Sequence, residues 1–384
     1  MVINFFCLGV GDIALGQYLP YIKKRYPNSA VTVYEPSDEA FLKASRTNDI
    51  NRARTQEELI KALSLNDYLL ILSPSRYHAE QLSMVAESKA PAKILCEKPI
   101  GLNEQERMRL LQLSEKGALN NCFFADHWYP RVRGISYLLG LESIRPTGLI
   151  SSDEQQERFI VGTLHTKRLT RIEGNLVEKS YLDSSTNLRY PLSFMGGDFS
   201  RAEEIFKYPN GVLTDTLIHP MNAICCALGL NGLTSQNMQL WDRHGQSIQK
   251  GDFENGEAKA CLQGSFTWRN QAVKFQLLAD KLAEEDNKGI TLHFDDGTQL
   301  VLRCQASRDT TSVINKNGEE EFVLSDEKQP YELLLDWFFS GCVFKEDKDE
   351  NSTSLALWLN YVQLNNLASI FKSQGDLRGA FSQP

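Results

Sequence analysis

Five short segments of the sequence carry side chains suited to holding a phosphorylated ligand and moving a proton. Two glycines in the first segment let backbone N–H groups approach negative charge. The other segments supply carboxylates, an ammonium group and imidazoles, which form hydrogen bonds or exchange protons near neutral pH. The segments are Gly9-Val10-Gly11-Asp12-Ile13-Ala14, Glu35, Ser73-Pro74-Ser75-Arg76-Tyr77-His78, Cys96-Glu97-Lys98-Pro99 and Asp215-Thr216-Leu217-Ile218-His219.

The glycine segment lies between a predicted strand and a predicted helix, which is where a pyrophosphate can be bound. Gly9 permits a tight turn, and Gly11 lets the backbone approach the phosphates. Ala14 allows the helix to pack closely on the strand, and Asp12 and Ile13 complete the turn. A tight turn that binds nothing would show the same residues, so the prediction needs support from elsewhere in the sequence.

Glu35 supplies part of that support. It ends a second β-rich run, Val31 to Tyr34, where a carboxylate can accept both ribose hydroxyls of an adenosine. The same charge would repel a 2′-phosphate, so the sequence favours NAD over NADP. The alternative is an exposed acid at a strand end.

The segment from Ser73 to His78 follows a third buried run, and we expect Ser73, Pro74 and His78 to border the bound cofactor. A helix start in the same place is compatible with this role. Further along, Pro99 ends another strand and directs Glu97 and Lys98 towards the ligand crevice.

The ammonium group of Lys98 can hold a substrate hydroxyl and help to place a nicotinamide. The alternative for Glu97 and Lys98 is a surface charge pair.

Asp215 and His219 are four residues apart, so both face the same side if the segment is helical. Histidine exchanges a proton near neutral pH, and a neighbouring carboxylate can orient its ring. Pro220 suits a first helical turn, so a capped helix start is the alternative. We expect no metal site, because no second histidine lies at ligand spacing.

The elements that must position these groups change character along the chain. Apolar runs alternate with helical segments up to about residue 125, which predicts a parallel sheet wrapped by helices, with ligands at the carboxyl ends of the strands. The predicted strands are Val2 to Val10, Val31 to Tyr34, Tyr68 to Leu72, Lys93 to Cys96 and Cys122 to Ala125.

Consecutive hairpins then predict a mostly antiparallel sheet. Turn residues separate several of its strands, most clearly at Asp295-Asp296-Gly297. We therefore divide the α/β chain into a dinucleotide-binding domain, 1–125, and a second α+β domain, 126–384. Its predicted strands are Arg168 to Glu178, Ala258 to Trp268, Gln271 to Ala279, Gly289 to Phe294 and Thr298 to Cys304, and its predicted helices are Ile218 to Leu228, Pro330 to Phe339 and Thr353 to Phe371.

Composition agrees with a two-domain globular protein. The chain has 384 residues, 42% hydrophobic and 23% charged, with a net charge of −8 that disfavours nucleic acid as a partner. No apolar run is long enough for a membrane span, and the first ten residues resemble a buried strand more than an export signal. Eight scattered cysteines predict a reducing, cytoplasmic setting.

Together the five segments resemble the Gfo/Idh/MocA family of NAD(P)-dependent oxidoreductases. The resemblance implies a Rossmann domain, with its doubly wound parallel sheet, and a second domain whose large open sheet forms a homodimer or homotetramer. It implies oxidation or reduction of a small molecule, a sugar, cyclitol or related compound. It also implies a catalytic trio of Lys98, Asp215 and His219, in which His219 takes the hydroxyl proton.

Two features depart from the family pattern. The span from Lys98 to Asp215 is long, which predicts an insertion within about 140–200. The segment from Asp126 to Arg131 is also similar to a stretch of glucose-6-phosphate dehydrogenases, which makes His127 an alternative proton acceptor. We expect the following residues of this segment to bind substrate: His127, Trp128, Tyr129 and Arg131.

The prediction of a dehydrogenase requires Lys98 and His219 to flank one nicotinamide ring. Two other functions remain open: a regulator of the same fold that binds dinucleotide without turnover, and a reductase of a larger unsaturated ligand such as a bile pigment. The set of Lys98, Asp215 and His219 favours an enzyme over a sensor, which needs no proton transfer.

Overall fold

The computed structural model divides the chain into two compact units. One unit comprises Met1–His127 with Tyr331–Trp358, and the other comprises Trp128–Pro330 with Leu359–Pro384. The structure describes residues 3–98, 100–101, 104–183, 188–191, 212–213, 216–230, 233–249, 257–305 and 308–340.

The first unit is built on a six-stranded sheet in which every neighbouring pair is parallel. The spatial order is β3-β2-β1-β4-β5-β6, with the order reversing at β1. This is the doubly wound Rossmann arrangement, and it confirms the predicted fold class. The strands are β1 (Asn4–Leu8), β2 (Ala30–Tyr34), β3 (Asn51–Arg52), β4 (Tyr68–Ile71), β5 (Lys93–Glu97) and β6 (Cys122–Ala125).

Helices connect these strands. The first helix begins with a π-helical turn, Ala14–Tyr18, before its α-helical part. Pro20 lacks the N–H that would continue the α-helical ladder, which accounts for the wider turn before it. The α-helices are α1 (Leu19–Arg25), α2 (Asp38–Ser45), α3 (Gln56–Lys61), α4 (His78–Ser88) and α5 (Glu104–Glu115).

The second unit contains a large mixed sheet in the order β10-β11-β12-β8-β13-β14-β15-β16-β7, with β9 paired to β8. Among the described strands of this second sheet, only the β8–β12 pair is parallel. The predicted mostly antiparallel sheet is therefore confirmed. Its strands are β7 (Leu149–Ser151), β8 (Leu169–Asp183), β9 (Leu188–Pro191), β10 (Thr234–Trp241), β11 (Lys259–Trp268), β12 (Gln271–Ala283), β13 (Asn287–Phe294), β14 (Gln299–Arg303), β15 (Thr310–Ile314) and β16 (Glu320–Asp326).

The described helices of this unit include α6 (Arg133–Leu138), α7 (Glu154–Leu164) and α8 (Ile218–Leu228), and His219 lies on α8. Helix α8 packs on β8 at Gly174, where an added Cβ would lie 2.9 Å from the Cβ of Pro220 and 3.2 Å from the Cδ1 of Ile224. Glycine therefore sets how closely the helix approaches the sheet. The region 140–200, where an insertion is predicted, holds β7, α7, β8 and β9.

The helix α9 (Pro330–Phe339) belongs to the first unit, although it follows the whole second sheet in sequence. Phe338 and Phe339 pack on Tyr68, with ring centroids 5.5 and 4.9 Å away, and Tyr21 donates a hydrogen bond to Asp336. The units thus differ from the predicted division at 125/126, because apolar residues of α9 complete the core of the first sheet. The predicted helix Thr353 to Phe371 lies outside the described residues.

Among the described helices, none combines the length and the apolar character needed to cross a membrane.

Candidate active site

The glycine turn is shaped by the close approach of two backbone segments. Gly9 has φ +91°, and its N–H donates to the carbonyl oxygen of Tyr34 at 2.9 Å. An added Cβ at Gly9 would lie 2.6 Å from the Cα of Ser73. Both the left-handed backbone and this contact exclude a larger residue, so the turn after β1 is fixed against the loop after β4.

Gly11, in contrast, faces open space. No heavy atom of the described residues lies within 4 Å of the position that its Cβ would take. Asp12 and Ile13 are already helical, and the N–H of Leu15 donates to the Gly11 carbonyl at 3.1 Å. Ala14 is fully buried, as close packing of helix and sheet requires. The turn therefore leaves room for a ligand to approach the backbone at the helix start.

Glu35 is half-buried at the end of β2, beside this turn. Its carboxylate accepts the N–H of Val10 at 3.1 Å and the N–H of Ser37 at 3.0 Å. Arg52 donates to the Glu35 carbonyl at 2.8 Å and pairs with Asp38 at 2.6 Å. The carboxylate is therefore held beside the glycine turn by two backbone donors.

A buried histidine, His78, holds the loop after β4 in place. The Nε2 atom of His78 lies 2.7 Å from the carbonyl oxygen of Ser73, and the Ser73 hydroxyl donates to Gln81 at 2.7 Å. Pro74 is exposed at the tip of this loop. The structure therefore brings Ser73 and Pro74 to the same edge of the sheet as Gly9, with His78 as their support.

Glu97 is buried at the end of β5, where Tyr18 donates a hydrogen bond to it at 2.5 Å. The backbone N–H of Lys98 also donates to its carboxylate, at 3.2 Å. The pKa of Glu97 is raised to about 7, chiefly by burial and also by nearby Asp126, although the hydrogen bond from Tyr18 and the charge of Lys98 act in the opposite direction. Lys98 itself is half-buried, and Pro99 lies outside the described residues.

Two tyrosines extend this cluster, and the sequence pattern did not reveal either of them. Tyr331, from α9, stacks on His127 with ring centroids 4.9 Å apart and planes 11° apart. It also meets Tyr18 edge-on at 6.0 Å. The signal was present only as aromatic residues in predicted helices, because the contacts join segments more than two hundred residues apart in the chain.

In the second unit, His219 lies in the first turn of α8 and is almost entirely buried, at 4% exposure. Its backbone N–H donates to the carbonyl oxygen of Thr216 at 3.2 Å. The indole of Trp128 stacks on its imidazole, with ring centroids 6.1 Å apart and planes 17° apart. Asp215, the third member of the predicted trio, lies outside the described residues.

The remaining residues predicted to bind substrate are held tightly in the same unit. Trp128 and Tyr129 are 2% and 3% exposed. The guanidinium of Arg131 lies 5.7 Å from the Trp128 ring centroid and pairs with Asp309 at 2.6 Å. Burial raises the pKa of Asp309 to about 6, while Arg131 acts to lower it.

A family comparison identifies the first unit. Residues 3–122 match the Gfo/Idh/MocA model, an oxidoreductase family with an NAD-binding Rossmann fold. The first unit is therefore similar to this oxidoreductase family over these residues, and the resemblance seen in the sequence is confirmed there. No curated protein matches the chain in sequence.

Solved structures show the same fold over nearly the whole chain. An oxidoreductase from Thermotoga maritima has a TM-score of 0.64 at 13% identity, covering 99% of this chain and all of its own. A levoglucosan dehydrogenase bound to NADH and levoglucosan has 0.62 at 14%, covering 96% and 98%. A 3-ketoreductase from Actinomadura kijaniata bound to NADP and TDP-benzene has 0.61 at 13%, covering 98% of each chain.

Proposed function

We propose that this protein is an NAD-dependent dehydrogenase or reductase acting on a hydroxyl or carbonyl carbon of a sugar, cyclitol or related small molecule. The observation that carries the proposal is the open turn at Gly11 with the Glu35 carboxylate beside it, within a matched NAD-binding fold. The substrate class is supported by levoglucosan dehydrogenase and by the 3-ketoreductase, which share the fold.

NAD is the proposed cofactor, because Glu35 places a negative charge next to the glycine turn. The 2′-phosphate of NADP would be repelled by this carboxylate, whereas the two free ribose hydroxyls of NAD can donate hydrogen bonds to it. Arg52 pairs with Asp38 and donates to the backbone carbonyl of Glu35. The charged group beside the glycine turn is therefore the Glu35 carboxylate. Structures of the same fold bind NADH or NADP, so the choice rests on Glu35.

In the proposed mechanism, His219 takes the proton of the substrate hydroxyl during oxidation and returns it during reduction. Lys98 holds the reacting oxygen, and Asp215 orients the substrate or the imidazole. The bound nicotinamide supplies the hydride-accepting or hydride-donating chemistry. The protein therefore contributes placement, proton transfer and exclusion of water around His219, which is 4% exposed.

The test is a cofactor-reduction screen with NAD and NADP across cyclitols, aldoses and sugar phosphates, followed by His219→Ala. The variant should lose about 10²–10⁴ in kcat while its affinity for NAD stays unchanged. His165→Ala is the matched control, because His165 is exposed on the same unit and should leave kcat unaltered. Wild-type turnover in His219→Ala would show that another residue is the base, and His127→Ala would then be tested.

The screen also separates the enzyme from the regulator. Dinucleotide binding without turnover on any member of the panel would support the regulator and overturn the dehydrogenase. Turnover confined to a large conjugated ligand would instead support the reductase of a bile-pigment type.

We also propose a homodimer or homotetramer formed through the open sheet of the second unit, and a cytoplasmic setting. The breadth of the sheet supports the first part, and the free thiols of all described cysteines support the second. Light scattering coupled to size exclusion tests the first part: a monomeric mass would overturn it.

A further inference from the structure

We propose that Trp128 is a positioning residue for His219, acting through the stacked indole rather than through contact with substrate. The inference rests on the proposed function, in which His219 transfers the substrate proton. It goes beyond it by moving Trp128 from the predicted substrate pocket to the support of the base.

The geometry of the two rings carries the inference. Their planes are 17° apart and their centroids 6.1 Å apart, which is an offset stack. Trp128 is 2% exposed and His219 4% exposed. A buried indole packed against one face of the imidazole restricts rotation about the Cβ–Cγ bond, so the ring nitrogens keep their direction between turnovers.

The indole is itself held by a charged pair. Arg131 lies 5.7 Å from the Trp128 ring centroid, and its guanidinium is bound to Asp309 at 2.6 Å. Asp309 also accepts the N–H of Gln305 at 3.0 Å. Both side chains are mostly buried, so Arg131 has little freedom to move. Successive side-chain contacts therefore connect Asp309 through Arg131 and Trp128 to His219.

The backbone of His219 is fixed as well. Pro220, the next residue, packs at Gly174 of β8, where only a glycine leaves room for it. The base is thus held on its main chain by the sheet and on its ring by the indole. A small misplacement of a catalytic group lowers the rate strongly. Loss of either the Pro220 contact with β8 or the Trp128 stack should therefore lower kcat.

The first experiment compares Trp128→Phe with Trp128→Leu. The phenyl ring retains a flat stacking face, so Trp128→Phe should keep kcat within about threefold, whereas Trp128→Leu should lose about 10- to 100-fold in kcat. KM for NAD should not change in either variant. Trp268→Leu is the control, because Trp268 is likewise a buried indole beside an arginine, Arg269, but lies at the β11–β12 hairpin and should keep wild-type kcat.

A merely structural role would lower kcat in both Trp128 variants in parallel with their thermal midpoints. Equal losses in the phenylalanine and leucine variants would therefore overturn the proposal. So would wild-type kcat in Trp128→Leu.

The second experiment is spectroscopic and needs no substrate. The imidazole of His219 packs on the Trp128 indole, so His219→Gln should change the tryptophan emission of the folded protein at one fixed pH. This change should be lost when His219→Gln is made in a Trp128→Phe background, and it should be retained in a Trp268→Phe background.

The two readouts separate the proposals. Turnover without a His219-dependent change in fluorescence overturns the positioning role of Trp128 alone. A His219-dependent change in fluorescence without turnover on any substrate overturns the proposed function and the positioning role with it.

Discussion

Tyr18 donates a hydrogen bond of 2.5 Å to the buried carboxylate of Glu97. The bond joins the helix that follows the glycine turn to the strand that carries Lys98. Because the carboxylate also accepts the backbone N–H of Lys98, the helix after the glycine turn and the residue proposed to bind the reacting oxygen are both hydrogen-bonded to Glu97.

Replacing Glu97 with Gln should change how stability depends on pH. The pKa of Glu97 is raised to about 7 by burial, so the folded state binds this proton more tightly than the unfolded state. Stability therefore falls as pH rises from about 4.5 to about 7, by about 3 kcal/mol in total. Glu97→Gln removes this loss, and its thermal midpoint should exceed that of the wild type at pH 8 but not at pH 4.5.

Glu80→Gln is the matched control, since it removes one negative charge from an exposed position on α4. It should shift the midpoint little at either pH. A Glu97→Gln midpoint below the wild type at pH 8 would show that the ionised carboxylate stabilises the fold.

Glu35→Ser should relax the preference for NAD. The substitution removes the negative charge that faces the glycine turn, so the affinity for NADP should rise relative to NAD by about tenfold or more. Glu39→Ser, an exposed acid four residues further on, should leave the ratio unchanged. Isothermal titration with both cofactors measures the ratio, and an unaltered value in Glu35→Ser would remove this residue from the ribose site.

Gly9→Ala and Gly11→Ala should fail in different ways. At Gly9 a Cβ meets the Ser73 backbone and the φ is positive, so the alanine variant should lose about 2–5 kcal/mol of stability. At Gly11 the Cβ points into open space, so stability should hold while NAD binding weakens. Denaturant titration and cofactor titration of both variants measure this contrast, and unchanged NAD binding in Gly11→Ala would show that the glycine turn does not contact a dinucleotide.

Gly174→Ala should disturb the helix that carries His219. The new methyl group would lie 2.9 Å from Pro220 and from Leu277, so it should cost about 1–3 kcal/mol and lower kcat by displacing α8. Gly162→Ala on α7 has open space around it and should be neutral or stabilising. Unchanged kcat in Gly174→Ala would show that the packing of α8 on β8 does not position the base.

Phe338→Ala should destabilise the first unit, because this fully buried ring packs on Tyr68 and Phe123. The expected loss is about 3–5 kcal/mol. NAD should protect the variant against thermal unfolding, since ligand binds only the folded unit. A midpoint equal to the wild type would show that α9 is dispensable to this core.

Local pattern predicted much of the fold. The two helices Ile218–Leu228 and Pro330–Phe339 have the predicted bounds, because apolar periodicity and a first-turn proline define both. The predicted turn at Asp295-Asp296-Gly297 is confirmed by the antiparallel pairing of its flanking strands and the positive φ of Gly297. Helix α2 was missed, since its apolar face is short and only the Ser37 cap marks its start.

The contacts within the site were less accessible from the sequence. Gly9 and Glu35 lie in segments whose position follows from strand order, so their proximity could be predicted. The stack of Trp128 on His219 joins positions far apart in the chain, and no periodicity specifies it. The strands Thr234–Trp241, Thr310–Ile314 and Glu320–Asp326 were also missed, because polar residues interrupt their alternation.

Helix α9 has a consequence for how the chain is made. Its aromatic residues cover Phe5, Tyr68 and Phe123, yet they leave the ribosome only after the entire second sheet has been synthesised. Until then the nascent parallel sheet exposes an apolar surface that invites association with other chains. Biogenesis of this protein should therefore depend on chaperone protection, and a fragment ending at residue 127 should aggregate when expressed alone.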